Sequence, residues 1–99
     1  MEQGGCVYIM TNVRHSVFYT GVTSDIIGRV YKHKCNAYPN SFTARYHCYK
    51  LVYYFAYFRI EEAIAAEKLI KGGSRQNKIQ LINKLNPEWN DLYEEIIKQ

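Results

Sequence analysis

Residues 6–11 read Cys-Val-Tyr-Ile-Met-Thr and residues 17–22 read Val-Phe-Tyr-Thr-Gly-Val, on either side of the polar stretch Asn12 to Ser16. Two runs of β-branched and aromatic side chains around a short polar loop predict a β-hairpin. Tyr8 and Tyr19 stand about equally far from the loop centre near Arg14, so they are expected to meet as cross-strand neighbours on one face. Beyond the hairpin, Thr23, Ser24 and Asp25 supply N-cap chemistry for a helix reaching about Lys34. Ile26, Ile27, Val30 and Tyr31 form its apolar stripe, and Gly28 weakens it by roughly 1 kcal/mol relative to alanine. Cys35 to Tyr49, with Pro39 inside it, reads as a loop. Lys50 to Phe58 is a third strand, apolar on both faces and therefore expected at the centre of the sheet. A helix from about Ile60 to Lys71 is closed by Gly72-Gly73, and Ser74 caps another from Arg75 to about Lys84. After the break at Asn86-Pro87, Trp89, Leu92, Tyr93, Ile96 and Ile97 recur at helical spacing, a stripe suited to docking. The sum is an α+β fold, a small three-stranded, mostly antiparallel sheet flanked by helices, in one domain over residues 1–99.

The chain has 99 residues, enough for one modest core and no separate recognition domain. Thirteen Lys and Arg against nine Asp and Glu leave a net charge of +4, compatible with a polyanionic partner but too mild to require one. The three cysteines, Cys6, Cys35 and Cys48, are odd in number and without framework spacing, which argues against a disulfide scaffold. No basic patch followed by an apolar run opens the chain, so no signal peptide is expected, and Leu51 to Phe58 is too short to span a bilayer. The reducing cytoplasm is the expected location.

Glu67 is the most informative single position. On a helical wheel Ile60, Ala63, Ile64, Ala66 and Ile70 make a continuous arc with Glu67 in its middle. A carboxylate facing a core costs several kcal/mol unless it is paired or holds a metal ion. A structural salt bridge is the competing explanation. Arg29 and His33 are four apart on the first helix and share a face at the rim of its stripe. An arginine there can clamp a phosphate bidentately, although an exposed Arg and a half-buried His would fit the same spacing. Tyr8 and Tyr19 are two of ten tyrosines, and a tyrosine acts as a base near neutrality only if its ordinary pKa of about 10 is lowered. His33, Cys35, His47 and Cys48 do not have the spacing of a common zinc site. Lys68, Lys71, Arg75, Lys78 and Lys84 form the best candidate for a phosphate-tracking surface, against the plain alternative of a solvated helix face.

Taken in order, these residues resemble the GIY-YIG nuclease family. Cys6-Val7-Tyr8 stands where the family has Gly-Ile-Tyr, and Tyr19-Thr20-Gly21 where it has Tyr-Ile-Gly. Arg29 follows the second tyrosine by ten residues, and His33 lies four further on. Glu67, within Glu62-Ala63-Ile64-Ala65-Ala66-Glu67-Lys68, matches the metal-binding glutamate of the helix after the third strand, and Asn86 resembles a late family asparagine. The likeness extends over nearly the whole chain, in particular to short standalone members related to the nuclease domain of the excision-repair incision subunit. It departs at Cys6 and Thr20, and at Val22, where some relatives carry a lysine.

The resemblance implies a GIY-YIG endonuclease-like fold and hydrolysis of a nucleic-acid phosphodiester with one Mg²⁺ or Mn²⁺ held by Glu67. Tyr8 or Tyr19 would position or deprotonate the attacking water. Arg29 would neutralise the transition state, His33 would support the phosphate or relay a proton, and Asn86 would anchor the site. Nucleic acid is then the partner, DNA ahead of RNA, contacted by Arg29, Lys68, Lys71, Arg75 and Lys78 and selected by structure rather than base sequence. A catalytically weak nucleic-acid-binding module acting with a partner protein is the alternative. A third reading is a protein-interaction domain, or a homodimer, built on the Trp89–Ile97 stripe. No membrane association is expected.

Overall fold

The computed structural model describes residues 4–98. Its central strand is β1 (Gly5–Thr11), buried along its whole length. The first hairpin partner, β2 (Phe18–Thr23), lies antiparallel on one side, and β3 (Lys50–Tyr57) lies antiparallel on the other, in the order β2-β1-β3. The third strand is thus an edge, not the centre. Its apolar run is only partly covered: Leu51, Val52 and Tyr53 are buried, whereas Phe55 is half-exposed and Phe58, just beyond it, is 86% exposed. Continuous hydrophobicity there combines burial of Leu51, Val52 and Tyr53 with aromatic residues that lie exposed along an edge beyond them.

Alternation along β1 divides the core in two. Tyr8 and Met10 point to one side, where they meet Val30, Leu51, Leu92 and Ile96. Ile9 points to the other, against Val52, Tyr53 and Ile82, with Ile70, Phe18 and Trp89 around them. A register shift pairs Ile9 with Tyr53 but Met10 with Leu51, leaving Val52 as an extra residue on β3. The bulge sends Val52 and Tyr53 into one cluster while Leu51 joins the other.

The first cluster is covered by α1 (Ile26–Lys34) and α5 (Tyr93–Ile97), the second by α3 (Ile60–Gly72) and α4 (Arg75–Leu85). Asp25 is the N-cap of α1, accepting the Gly28 N–H at 3.1 Å, and Ser74 caps α4. Gly73 is the C-cap of α3, with extended rather than left-handed backbone. The stretch read as loop between α1 and β3 contains a further short helix, α2 (Phe42–Arg45), started by Ser41. Four residues are too few to show an apolar period, so only the cap was available as a signal.

The C-terminal stripe is also not one helix. Trp89 has a positive φ of 56° and packs beside Phe18 and His15 in the second cluster, while Leu92 and Ile96 enter the first. Asp91 locks this turn: its carboxylate accepts the Leu51 and Tyr93 N–H groups and pairs with Lys34. Most of the apolar side chains that looked free to dock are thus consumed at home. Ile97 alone of the five is markedly exposed.

Candidate active site on the Tyr8 face of the sheet

Tyr8 has no solvent-exposed surface, and its hydroxyl lies 3.1 Å from His33 Nε2. The register puts it opposite Gly21, with Tyr19 opposite Met10, so the two tyrosines are diagonal rather than direct partners. Their ring centroids are 6.1 Å apart. Gly21 makes this possible: a Cβ built there would sit 2.5 Å from Tyr8 Cζ and Oη. The glycine is needed for close approach, since its φ is not positive. Gly21→Ala is therefore expected to displace the Tyr8 ring and destabilise the protein by about 1–3 kcal/mol, the usual penalty of overpacking. Urea unfolding and the loss of Tyr8-dependent near-ultraviolet dichroism would check it; an unchanged midpoint would refute the contact.

His33 is 4% exposed and is held at both ring nitrogens. Nε2 faces Tyr8, and Nδ1 lies 2.9 Å from Thr43 Oγ1. Thr43, itself buried, lies 3.0 Å from Ser41 Oγ, which accepts the Ala44 N–H at 3.3 Å as the cap of α2. Sequence reasoning missed Thr43 and Ser41. The available signal was Ser41 directly after Pro39-Asn40, an N-cap type following a helix-breaking dipeptide.

Burial, and then the Arg29 charge, lower the pKa of His33, so the ring is neutral at pH 7. His15 is lowered as well, by burial and by Lys50. In the unfolded chain both titrate near 6.5, so below that pH the unfolded state binds protons that the folded state refuses. Stability should fall as pH drops from about 7.5 to 5.5, and the fall should be shallower in His33→Gln. Urea titrations across that range measure it, and equal slopes in both proteins would mean that His33 does not contribute.

Tyr8 carries the opposite perturbation. Burial first, then the neighbouring Tyr19, push its pKa well above the ordinary value, with Arg29 opposing them. Tyr8 is a protonated phenol at neutral pH, fitted to position or pass a proton rather than to stand as a phenolate. Tyr19 and Tyr38 close the cluster, each with its ring centroid 5.5 Å from that of His33. Arg29 is half-buried, with its guanidinium 6.0 Å from the Tyr38 ring centre. Among the described residues no carboxylate pairs with it.

The structure thus gathers Tyr8, Tyr19, Arg29 and His33. The others lie elsewhere. Glu67 is on α3, which covers the opposite face and packs mainly on β1 and β2. The buried arc of that helix is centred on Ala63, with Ile64 partly exposed, so Glu67 sits half-buried at its margin rather than in its middle. Among the described residues it has neither ion pair nor hydrogen-bond partner, which removes the salt-bridge explanation there. Asn86 is buried as the C-cap of α4. Its amide donates to the Val52 and Asn90 carbonyls and accepts the Asn90 N–H, so these bonds tie the last turn to β3 and none reaches the aromatic cluster.

Lys68 and Lys71 are exposed on α3. Arg75 donates to the His15 carbonyl and covers the Phe18 ring, and Lys78 donates to the Gly73 carbonyl. The basic run is thus half solvated and half engaged in holding the fold.

Comparison with known proteins adds an independent finding. The family model described as the GIY-YIG catalytic domain matches residues 4–80, a span that holds Tyr8, Tyr19, Arg29, His33 and Glu67 but not Asn86. The chain is also similar to the UPF0213 protein BH0048 from Bacillus halodurans, solved by solution NMR. The two share 30% identity and a TM-score of 0.56 over 89% of this chain and 92% of that one. No curated protein matches the chain.

Proposed function

The chain belongs to the GIY-YIG family, and on that premise we propose that it is a divalent-metal-dependent endonuclease acting on DNA ahead of RNA. The observation that carries the proposal is the buried Tyr8–His33 contact, ringed by Tyr19 and by an arginine with no carboxylate to neutralise it among the described residues. A site of this kind has a proton-handling pair and a free cation side by side, which phosphodiester hydrolysis needs.

In this reading the half-buried Tyr19 hydroxyl holds the attacking water, and neutral His33 accepts its proton through Tyr19 and the buried Tyr8. Arg29 offers its planar fork to the phosphate and balances the charge that grows on it. Glu67 is the metal ligand. Among the described residues no three of His, Cys, Asp and Glu converge, so Glu67 would hold the ion with at most one further side chain of these types. That donor set suits Mg²⁺ or Mn²⁺, which keep several waters and take substrate oxygens, better than zinc. A divalent ion bound there supplies positive charge to the leaving 3′ oxygen. The scissile phosphate then belongs at the rim where β2, the strand of Tyr19, meets α3, the helix of Glu67. A chain this small favours recognition of nucleic-acid shape over base readout. Among the described residues no helix is long and apolar enough to cross a membrane.

The test is cleavage of duplex, single-stranded, flap and branched DNA and their RNA counterparts with Mg²⁺ or Mn²⁺. Tyr8→Phe, purified identically, runs alongside. Cutting should stop with a chelator and fall about 10²-fold in Tyr8→Phe. Equal cutting by both proteins would sink the site assignment. Salt-sensitive binding to one structure without any cutting would replace the nuclease by a binding module.

A further inference from the structure

We infer that Thr43 and Ser41 fix the proton of His33 on Nδ1, so that Nε2 presents a lone pair to Tyr8. Five groups face the ring: Tyr8 from β1, Tyr19 from β2, Arg29 from its own helix, Tyr38 from the connection that follows, and Thr43 from α2. Arg29 is the charged group among them. A neutral imidazole has one donor and one acceptor nitrogen, and the partners decide which is which.

At the α2 end either hydroxyl of the Ser41–Thr43 pair could donate, and the inferred order begins with Thr43 as the donor. Ser41 Oγ already accepts the Ala44 N–H. Accepting the Thr43 hydroxyl at 3.0 Å fills its second lone pair and leaves its own hydrogen for solvent, which a half-buried serine can reach. Thr43 Oγ1 is then an acceptor for His33 Nδ1–H at 2.9 Å, and the Tyr8 hydroxyl donates to Nε2 at 3.1 Å. The opposite order would make a fully buried phenol accept from Nε2–H and turn its own proton towards a second phenol, Tyr19. Phenols donate better than they accept, so the first order matches each group to its stronger role.

The tautomer rests on geometry alone; its catalytic consequence rests on the nuclease reading. As water attacks phosphorus, it gives a proton to the half-buried Tyr19 hydroxyl, which passes its own to the Tyr8 oxygen while Tyr8 gives its proton to Nε2. The new P–O bond forms as the P–O3′ bond breaks, and the electron pair leaves on the 3′ oxygen, which takes a proton from solvent. His33 becomes an imidazolium whose Nδ1–H stays bonded to Thr43, and it later returns the extra proton to solvent. Thr43 is therefore a positioning residue, acting through His33 as an orienting group acts in other His-centred relays.

Long-range ¹H–¹⁵N correlation spectra read the tautomer directly, and the chain has only three histidines. His33→Gln assigns the signal. At pH 7.5 the wild-type ring should show a protonated Nδ1 and an unprotonated Nε2. Thr43→Val should shift the population to Nε2–H, and Thr43→Ser should restore it. In cleavage, Thr43→Val should lower kcat about 10-fold with little change in KM and displace the acid limb of the pH–rate profile, with recovery in Thr43→Ser. A wild-type ring protonated on Nε2 overturns the inference even if the valine variant fails to fold, and so does a tautomer indifferent to Thr43→Val. The assigned tautomer in a protein that cuts nothing supports the positioning of His33 and defeats the nuclease reading instead.

Discussion

Glu67→Ala should abolish metal-dependent cleavage, by about 10³-fold or ~4 kcal/mol of transition-state stabilisation, while leaving the fold intact. The two halves of that result come from one observation. Among the described residues Glu67 is half-buried and has no partner, so its removal leaves no orphaned donor and takes no ion pair from the protein. Alanine also has higher helix propensity, so stability should stay within about 0.5 kcal/mol or rise slightly. A structural glutamate would behave in the opposite way, costing several kcal/mol on truncation. Single-turnover rates across a Mn²⁺ titration, with urea unfolding of the same preparations, separate the cases. Lost stability with retained cutting would remove Glu67 from the site.

Arg29→Ala should cost about as much, near 10³-fold, and Arg29→Lys should recover little of it, because a point charge does not replace a planar fork. A second effect follows from the surroundings. Arg29 helps to lower the pKa of His33 and opposes the upward push on Tyr8. Its removal should therefore raise the His33 pKa and move the acid limb of the pH–rate profile to higher pH. The lysine variant should keep that limb near its wild-type place while remaining slow. A pH profile unmoved in Arg29→Ala would mean that the guanidinium lies too far from His33 to act on it.

The sequence made the hairpin, the helices and the α+β class legible because each has a local cause: alternation, an N-cap, a helical stripe. Position within the sheet does not. Whether β1 or β3 is central depends on which strand finds a partner on each side, and Lys50 to Phe58 read as apolar on both faces. The Trp89–Ile97 stripe misled for a related reason. Trp89 takes a left-handed backbone conformation that a helical wheel assumes away, and it is drawn to Phe18 and His15 across the fold.

At the site, Tyr8, Tyr19, Arg29 and His33 were found as chemical types at fixed spacing, and the structure brings them together. Thr43 escaped because a threonine beside a four-residue helix carries no pattern. Its significance is wholly tertiary, ten residues from the imidazole it holds. Gly21 was read as part of a motif, but the reason for it is the Tyr8 ring lying across its backbone.

The two-sided use of β1 sets how this chain can change in length. Its even positions feed the aromatic site and its odd positions feed the α3 and α4 side of the core. One codon gained or lost between Gly5 and Thr11 would exchange those assignments, sending Tyr8 into the helix-packed side and Ile9 into the place of the phenol. Point substitutions can be absorbed one at a time, but a frame-preserving indel there cannot. The hairpin loop at 13–16, on the surface, is free of that constraint. Natural relatives should accordingly vary in length at this loop and hold the length of β1 constant.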